Sequence, residues 1–234
     1  MARISRHELK TDEFVSGMDA AYEYYLQHQK TIWIVAGVVL AVVLAGWGVW
    51  HWRTVRRQHA QAILASGMQI YHAPLSTAAS AAPGQTLYPN AKARALAALP
   101  KLETAARYSG RTGRIAAYYV ALAQLDAGQT AAGLAGLRAL RQGSDPNLAA
   151  LARAALANYH VSQGQNAQAA ADLRQIIAHS APAYPKAVAL LELARLESHT
   201  QPAQAVALYR QLMQTYPQGQ IAQTAAQEIK KLQP

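Results

Sequence analysis

The chain has 234 residues and no cysteine, which excludes disulfides and cysteine-ligated zinc as sources of stability. Its 22 Lys and Arg against 12 Asp and Glu make a formal net charge of +10, which suits a nucleic acid, an anionic membrane surface or an acidic protein as partner. The arginines are dispersed and no RRM, KH or zinc-finger signature occurs, so nucleic-acid binding is the least favoured of the three.

Residues 1–30 form a polar N-terminal tail that contains one apolar stripe. The residues of the stripe recur at helical spacing and predict a juxtamembrane amphipathic helix: Phe14, Met18, Tyr22, Tyr25 and Leu26. The tail carries five acidic and four basic residues, whereas helices that lie on anionic lipid are usually rich in Lys and Arg. The pattern therefore favours a protein contact, or continuation into the next segment, over a lipid anchor.

Residues 31–52 are predicted to form a transmembrane helix. The nineteen residues from Ile32 to Trp50 carry no charge, and a helix of that length is about 28 Å long, close to the thickness of the bilayer's hydrocarbon core. A cleaved signal peptide would have a shorter apolar core that ends in small residues. All the tryptophans lie at the two ends of the segment, where indoles favour the membrane interface: Trp33, Trp47, Trp50 and Trp52.

Small residues follow one face of this predicted span at four-residue intervals: Gly37, Ala41 and Ala45. Small side chains let a second helix approach closely inside a membrane, so the stripe predicts a helix partner. Ala and Gly are also common in spans without a partner, and both interpretations stay open at this point.

Residues 53–90 are predicted to connect the span to the rest of the chain. The segment from Val55 to Tyr71 has a helical apolar pattern and extends the helix beyond the span. Residues 73–90 hold three prolines and a glycine among small side chains, which predicts a loop.

From residue 91 to 234 the sequence repeats itself. The segments 128–140, 164–176 and 200–212 align at intervals of 36 residues, and an apolar segment precedes each, so the unit is a helix pair. Matched columns hold a small residue and then, one turn later, a larger apolar one, as closely packed helices require. We therefore predict an all-α fold, in which an α-solenoid of helix pairs follows the span and residues 221–232 form a cap helix. The residues predicted to pack the repeats are Ala98, Leu102, Ala121, Gly133, Leu137, Ala157, Ala169, Leu173, Ala194, Ala205, Tyr209 and Pro217.

The repeated unit resembles the tetratricopeptide repeat. That repeat is a helix pair of about 34 residues, and the shared features are Gly at the internal turn, a small residue, a large apolar residue and a terminal Pro. The third unit matches the second half of this pattern most fully, with Ala205, Tyr209 and Pro217. The first two units lack the aromatic residue and the clean terminal Pro, so the repeats are divergent.

A short tail containing ELKTDEF (Glu8 to Phe14), one span and divergent repeats account for nearly the whole chain. This layout resembles a bacterial inner-membrane family that includes the ancillary subunit of the Sec translocon. The resemblance implies a periplasmic tetratricopeptide-like domain tethered beside a translocation or envelope-assembly machine. It also implies client polypeptides or chaperones as partners.

The sequence contains no arrangement typical of catalysis, so we expect a protein that is not an enzyme and that needs no cofactor or metal. The eight histidines never form H-E-x-x-H or another ligand spacing, and G-x-S-x-G does not occur. The stretch SGRTGR (Ser109 to Arg114) precedes a helix like a phosphate-binding loop. It lacks the G-K-[ST] ending and falls where a turn between repeats is required.

Arg138, Arg174 and Arg210 recur at 36-residue intervals, each directly after the large apolar residue of its unit. A periodic row of positive charge predicts contact with an acidic client. The other interpretation is that arginine solubilises a position beside a buried one.

The predicted function is that of a membrane-tethered adaptor, because stacked helix pairs make an extended surface that binds protein segments. Arg53, Arg56 and Arg57 outnumber Lys30 across the span, and the positive-inside rule then places the domain in the cytoplasm as a docking receptor. The family resemblance implies the periplasm, and long domains cross membranes largely regardless of their charge. We expect the periplasmic orientation.

Overall fold

The computed structural model describes the backbone of residues 6–76 and 86–232, with side chains from residue 28 onward except 29, 32 and 36. Every regular element in that part of the chain is an α-helix, so the prediction of an all-α fold is confirmed there. The helices are α1 (Arg6–Tyr71), α2 (Ala91–Ala106), α3 (Arg111–Asp126), α4 (Thr130–Arg141), α5 (Pro146–Ser162), α6 (Asn166–Ala178), α7 (Lys186–Glu197), α8 (Pro202–Thr215) and α9 (Gln220–Leu232).

Two predictions fall outside the described residues. The backbone of the tail belongs to α1 from Arg6 onward, but the side chains of its apolar stripe are not among those described. Residues 77–85, the middle of the predicted loop, are also outside them.

Local sequence signals set the ends of several helices. The Oδ1 atom of Asp145 accepts hydrogen bonds from the backbone N–H groups of Asn147 and Leu148, so Asp145 caps α5 at its N-terminus. Gly128 and Gly164 have φ of 85° and 70° and end the turns after α3 and α5. Residues with a side chain rarely adopt these angles, which is why glycine recurs at both turns.

The chain divides into two compact units, residues 1–57 and 58–234. The first unit contains the part of α1 before Gln58, and its described apolar side chains from Trp33 to Val55 are exposed. Among the described helices, α1 alone is long and apolar enough to cross a membrane. The prediction of an apolar helix of spanning length is confirmed at that level.

The second unit is built from consecutive helices, and from α2 to α9 each helix contacts the next along the chain. Its apolar core is a series of four clusters, and each cluster is formed mainly by three successive helices. Helices two apart also touch at two places, α3 with α5 and α7 with α9. Each helix pair therefore depends for its stability on its neighbours in the chain.

The small residues at the aligned position of each unit set the distance between paired helices. Gly133, Ala169 and Ala205 are all buried. A Cβ atom on Gly133 would lie only 2.8 Å from the carbonyl oxygen of Ala121 on α3, so α3 and α4 approach through glycine itself. The larger column is buried one turn later, as are the other predicted packing residues except Pro217: Ala98, Leu102, Ala121, Leu137, Ala157, Leu173, Ala194 and Tyr209.

Pro217 differs from the expectation that it packs within the repeat. Its side chain is exposed, and it lies in the turn between α8 and α9 beside Gly219, whose φ is 99°. Proline cannot continue a helix because it lacks the N–H group and its ring collides with the preceding turn. Its position after α8 is where a helix stops, not where one packs.

The compact unit begins at Gln58, before the predicted boundary at Ala91. Leu64 of α1 lies in one apolar cluster with Leu102 of α2. A Cβ atom on Gly67 would lie 2.8 Å from Cδ2 of Leu102, so this approach is close as well. The end of α1 is therefore the first helix of a pair with α2, and not a free connection.

We expect Gly133→Val to destabilise the second unit by about 1 to 3 kcal/mol, because the added side chain collides with the backbone of α3. The matched control is Ala132→Val, which adds the same side chain at the exposed neighbouring position of α4. Thermal unfolding of the full chain in uncharged detergent, followed by circular dichroism, measures both. Equal melting temperatures for the two variants would contradict the close approach of α3 and α4.

Candidate functional site

The four tryptophans predicted to lie at the membrane interface are 57 to 68% exposed. The guanidinium of Arg56 lies 4.2 Å from the ring centroid of Trp52, an arrangement typical of a cation–π contact. Gly37, Ala41 and Ala45 are exposed too, so the small-residue stripe is uncovered in this single chain. The apolar surface of α1 is thus available to lipid or to a second helix.

The predicted arginine row is not uniform. Arg138 and Arg210 are exposed and pair with no acidic group among the described residues. Arg174 instead forms an ion pair with Glu197 of α7, whose side chain is only 6% exposed. The middle arginine therefore neutralises a buried carboxylate, and two of the three keep an uncompensated charge.

Asp172 of α6 is the second buried carboxylate, at 7% exposure. Its Oδ1 accepts a hydrogen bond from Nη1 of Arg141 at 3.4 Å, and its Oδ2 lies 3.1 Å from Nδ1 of His160. A buried charge is costly unless hydrogen bonds and opposite charge replace its water. Arg141 and His160 supply that replacement, and they tie the ends of α4 and α5 to α6.

An open cavity of about 650 Å³ adjoins this network at the junction of α4, α5 and α6. We call it the middle groove. Its lining is mostly polar or cationic and comes from the end of α4, the following turn, α5 and α6: Arg141, Gln142, Gly143, Ser144, Pro146, Ala149, Arg153, Asp172, Gln175 and His179.

Three charged residues of the middle groove stand in columns that are apolar in the next repeat. Arg141 aligns with Ile177 and Asp172 with Leu208, both 36 residues on. Arg153 aligns with Leu190, 37 residues on, in register with the one-residue shift between Ala157 and Ala194. Ile177, Leu190 and Leu208 pack together in one apolar cluster at the junction of α6, α7 and α8. The junction of α6, α7 and α8 is thus filled by apolar side chains at these aligned positions, whereas the junction of α4, α5 and α6 is charged and open.

Arg153 differs from the other charges of the middle groove. It is partly buried, and it makes no hydrogen bond or ion pair with any described residue. Asp172, the acidic residue of the lining, already accepts from Arg141 and His160. A guanidinium carries five N–H donors in a planar fork, so Arg153 presents an unused donor set to the cavity.

The middle groove was not predicted from the sequence. The aligned positions that stay apolar in every unit indicate only the packing. The signal that could have revealed it is an aligned position that is apolar in two units and charged in the third. Ala117, Arg153 and Leu190 occupy such a position.

A second polar cluster lies where the end of α1 meets α3. The Tyr71 hydroxyl donates a hydrogen bond of 2.9 Å to Oδ2 of Asp126, and the Tyr71 ring packs edge-on against Tyr119. Burial raises the pKa of the Tyr71 phenol well above its ordinary value, and the bond to Asp126 adds to the rise. Tyr71 is therefore a neutral donor, and the cluster joins α1 to α3 without a groove.

No group of three or more metal-ligating side chains occurs within the described residues. Comparison of the chain with models of protein families, with curated proteins and with solved structures finds no match.

Two tyrosines give a contrasting pair of variants. Tyr209 is fully buried, and its hydroxyl has no hydrogen-bond partner among the described residues. We expect Tyr209→Phe to leave the free energy of unfolding unchanged or slightly higher, because it removes an unpaired polar group from the core. Tyr71→Phe should lower it by about 1 kcal/mol, because Asp126 loses its donor. Denaturant unfolding of both variants tests this order, and a larger loss for Tyr209→Phe would contradict it.

Proposed function

We propose that the chain is a membrane-tethered adaptor that holds a protein segment against its helix pairs. One observation carries the proposal: a charged open groove stands where the next repeat has an apolar core. Such a groove offers hydrogen-bond donors and charge to a ligand at a place where packing alone would have favoured closure. The exposed apolar helix of spanning length supplies the tether.

The fold of residues 58–234 is proposed to be a divergent tetratricopeptide-like solenoid. The 36-residue spacing of the small and large columns supports this, and so does the series of clusters, each formed mainly by three successive helices. Stacks of this kind present a continuous surface to extended peptides. Helix α9 carries Lys230 and Lys231 in its last turn and suits a terminal cap.

We place the protein in a bacterial inner membrane, with the repeat domain in the periplasm and with clients or chaperones of a translocation or envelope-assembly machine as partners. This placement rests on the resemblance of the layout to the family of the ancillary Sec-translocon subunit. The alternative is a cytoplasmic docking receptor. Its support is Arg53, Arg56 and Arg57, which are all exposed directly after the apolar segment.

A single-cysteine labelling experiment decides between the two orientations, because the natural chain has no cysteine. Ser162→Cys places one thiol at an exposed position at the end of α5. In intact spheroplasts of an expressing bacterium, we expect a membrane-impermeant maleimide to label it without lysis.

Two controls accompany that measurement. Ser16→Cys lies on the other side of the apolar segment in sequence and should label only after lysis. Ala169→Cys is buried and should not label before unfolding. Labelling of Ser162→Cys only in lysed cells, together with labelling of Ser16→Cys in intact ones, would overturn the periplasmic orientation and support the cytoplasmic receptor.

A further inference from the structure

We infer that the middle groove is a recognition site for an acidic peptide segment, in which Arg153 binds a Glu or Asp side chain of the client. The inference deepens the proposed adaptor function and rests on it. It assigns a binding residue and a ligand class to one junction of the stack.

The charged residues of the middle groove make the fold less stable than apolar residues at the same positions would. Apolar residues at positions 141, 153 and 172 would extend the core, as Ile177, Leu190 and Leu208 do one repeat later. Burying an apolar side chain of that size removes a large apolar area from water and stabilises the folded state. A charged set that gives up this contribution and leaves a cavity has its explanation in a ligand and not in packing.

The charged side chains of the middle groove differ in whether they already have a partner. Asp172 is held by Arg141 and His160, so it does not compete for Arg153. The side chain of Arg141 is 37% exposed, so it keeps donors that face away from Asp172. Arg153 is partly buried, where a contact with an anion is screened less than on an open surface. The chemistry that complements these charges is therefore that of an anion.

The lining and the size of the middle groove suit the carboxylates of a peptide segment. Carboxylates match the planar fork of arginine in a bidentate contact. Gln142, Ser144 and Gln175 are exposed on the groove and supply hydrogen-bonding groups suited to a peptide backbone. The volume of about 650 Å³ accommodates several residues of an extended segment. The whole second unit has fifteen basic and seven acidic residues, so its field attracts an acidic chain before contact.

The test measures binding of a fluorescein-labelled hexaglutamate peptide, blocked at both ends, to the full chain in uncharged detergent. Fluorescence anisotropy at about 0.1 M salt reports the affinity. We expect binding by the natural chain and an affinity about tenfold lower for Arg153→Gln, the loss expected for one charge-assisted contact. Arg153→Lys should recover only part of it, because lysine lacks the fork.

Arg210→Gln is the matched control. It removes the same charge from an exposed position of α8 that does not line the groove. We expect it to change the affinity little. An equal loss for Arg210→Gln and Arg153→Gln would overturn the site and show that the peptide responds only to net charge.

Arg153→Leu shows whether lost binding is caused by unfolding. Leucine is the residue at the aligned position, Leu190, so this variant is expected to fold. It should melt at the same or a higher temperature and still bind the peptide about tenfold more weakly than the natural chain. Unaltered binding by a folded Arg153→Leu would overturn the inference. Displacement of the peptide by 10 mM inorganic phosphate, but not by added chloride of equal ionic strength, would also overturn it in favour of a phosphate ligand.

These failures are separate from failure of the proposed membrane tether and its orientation. The labelling of Ser162→Cys does not involve the groove, so it reports the orientation of the tethered domain whatever hexaglutamate does. If the natural chain fails to bind hexaglutamate, the inference of an acidic ligand is wrong, and the measured orientation is unaffected.

Discussion

The helical unit from residue 58 to 234 depends on how closely each helix approaches the next. A helix stabilises its neighbour only when their apolar faces meet, and the small column makes that meeting possible. At Gly133 the approach is close enough that even a methyl group would touch the backbone of α3. Ala169 and Ala205 fill the same role with one carbon more, which is why Leu137, Leu173 and Tyr209 can be buried one turn later.

Much of this arrangement follows from the sequence, because packed columns repeat at a fixed spacing. Gly128 and Gly164 mark turns in the alignment, and both adopt the positive φ that explains them. The pair formed by the end of α1 and α2 was not predicted. A long connection separates these two helices, and the 36-residue spacing does not extend across it. Leu64 and Gly67 reach α2 by tertiary contact, and a periodic pattern alone does not reveal such a contact.

The middle groove was not predicted for a different reason. A single charged residue in an apolar column looks like divergence when only the packing is followed. Asp172, Arg141 and His160 become a network, and Arg153 becomes an unpaired cation, only when the ends of three helices are brought together. The aligned residues Ile177, Leu190 and Leu208 make the difference clear, because they fill the corresponding positions with apolar side chains.

Site-specific photo-crosslinking in intact cells tests the central claim most directly, that the middle groove is where a protein segment binds. Gln175 in the groove and Gln211, 36 residues later and also exposed, provide matched positions for a photoreactive residue in the full chain. The account predicts crosslinks from position 175 to acidic segments of a partner, few from position 211, and loss of the first when Arg153→Gln is added. Equal yields at both positions, or crosslinks from position 175 that persist with Arg153→Gln, would contradict it.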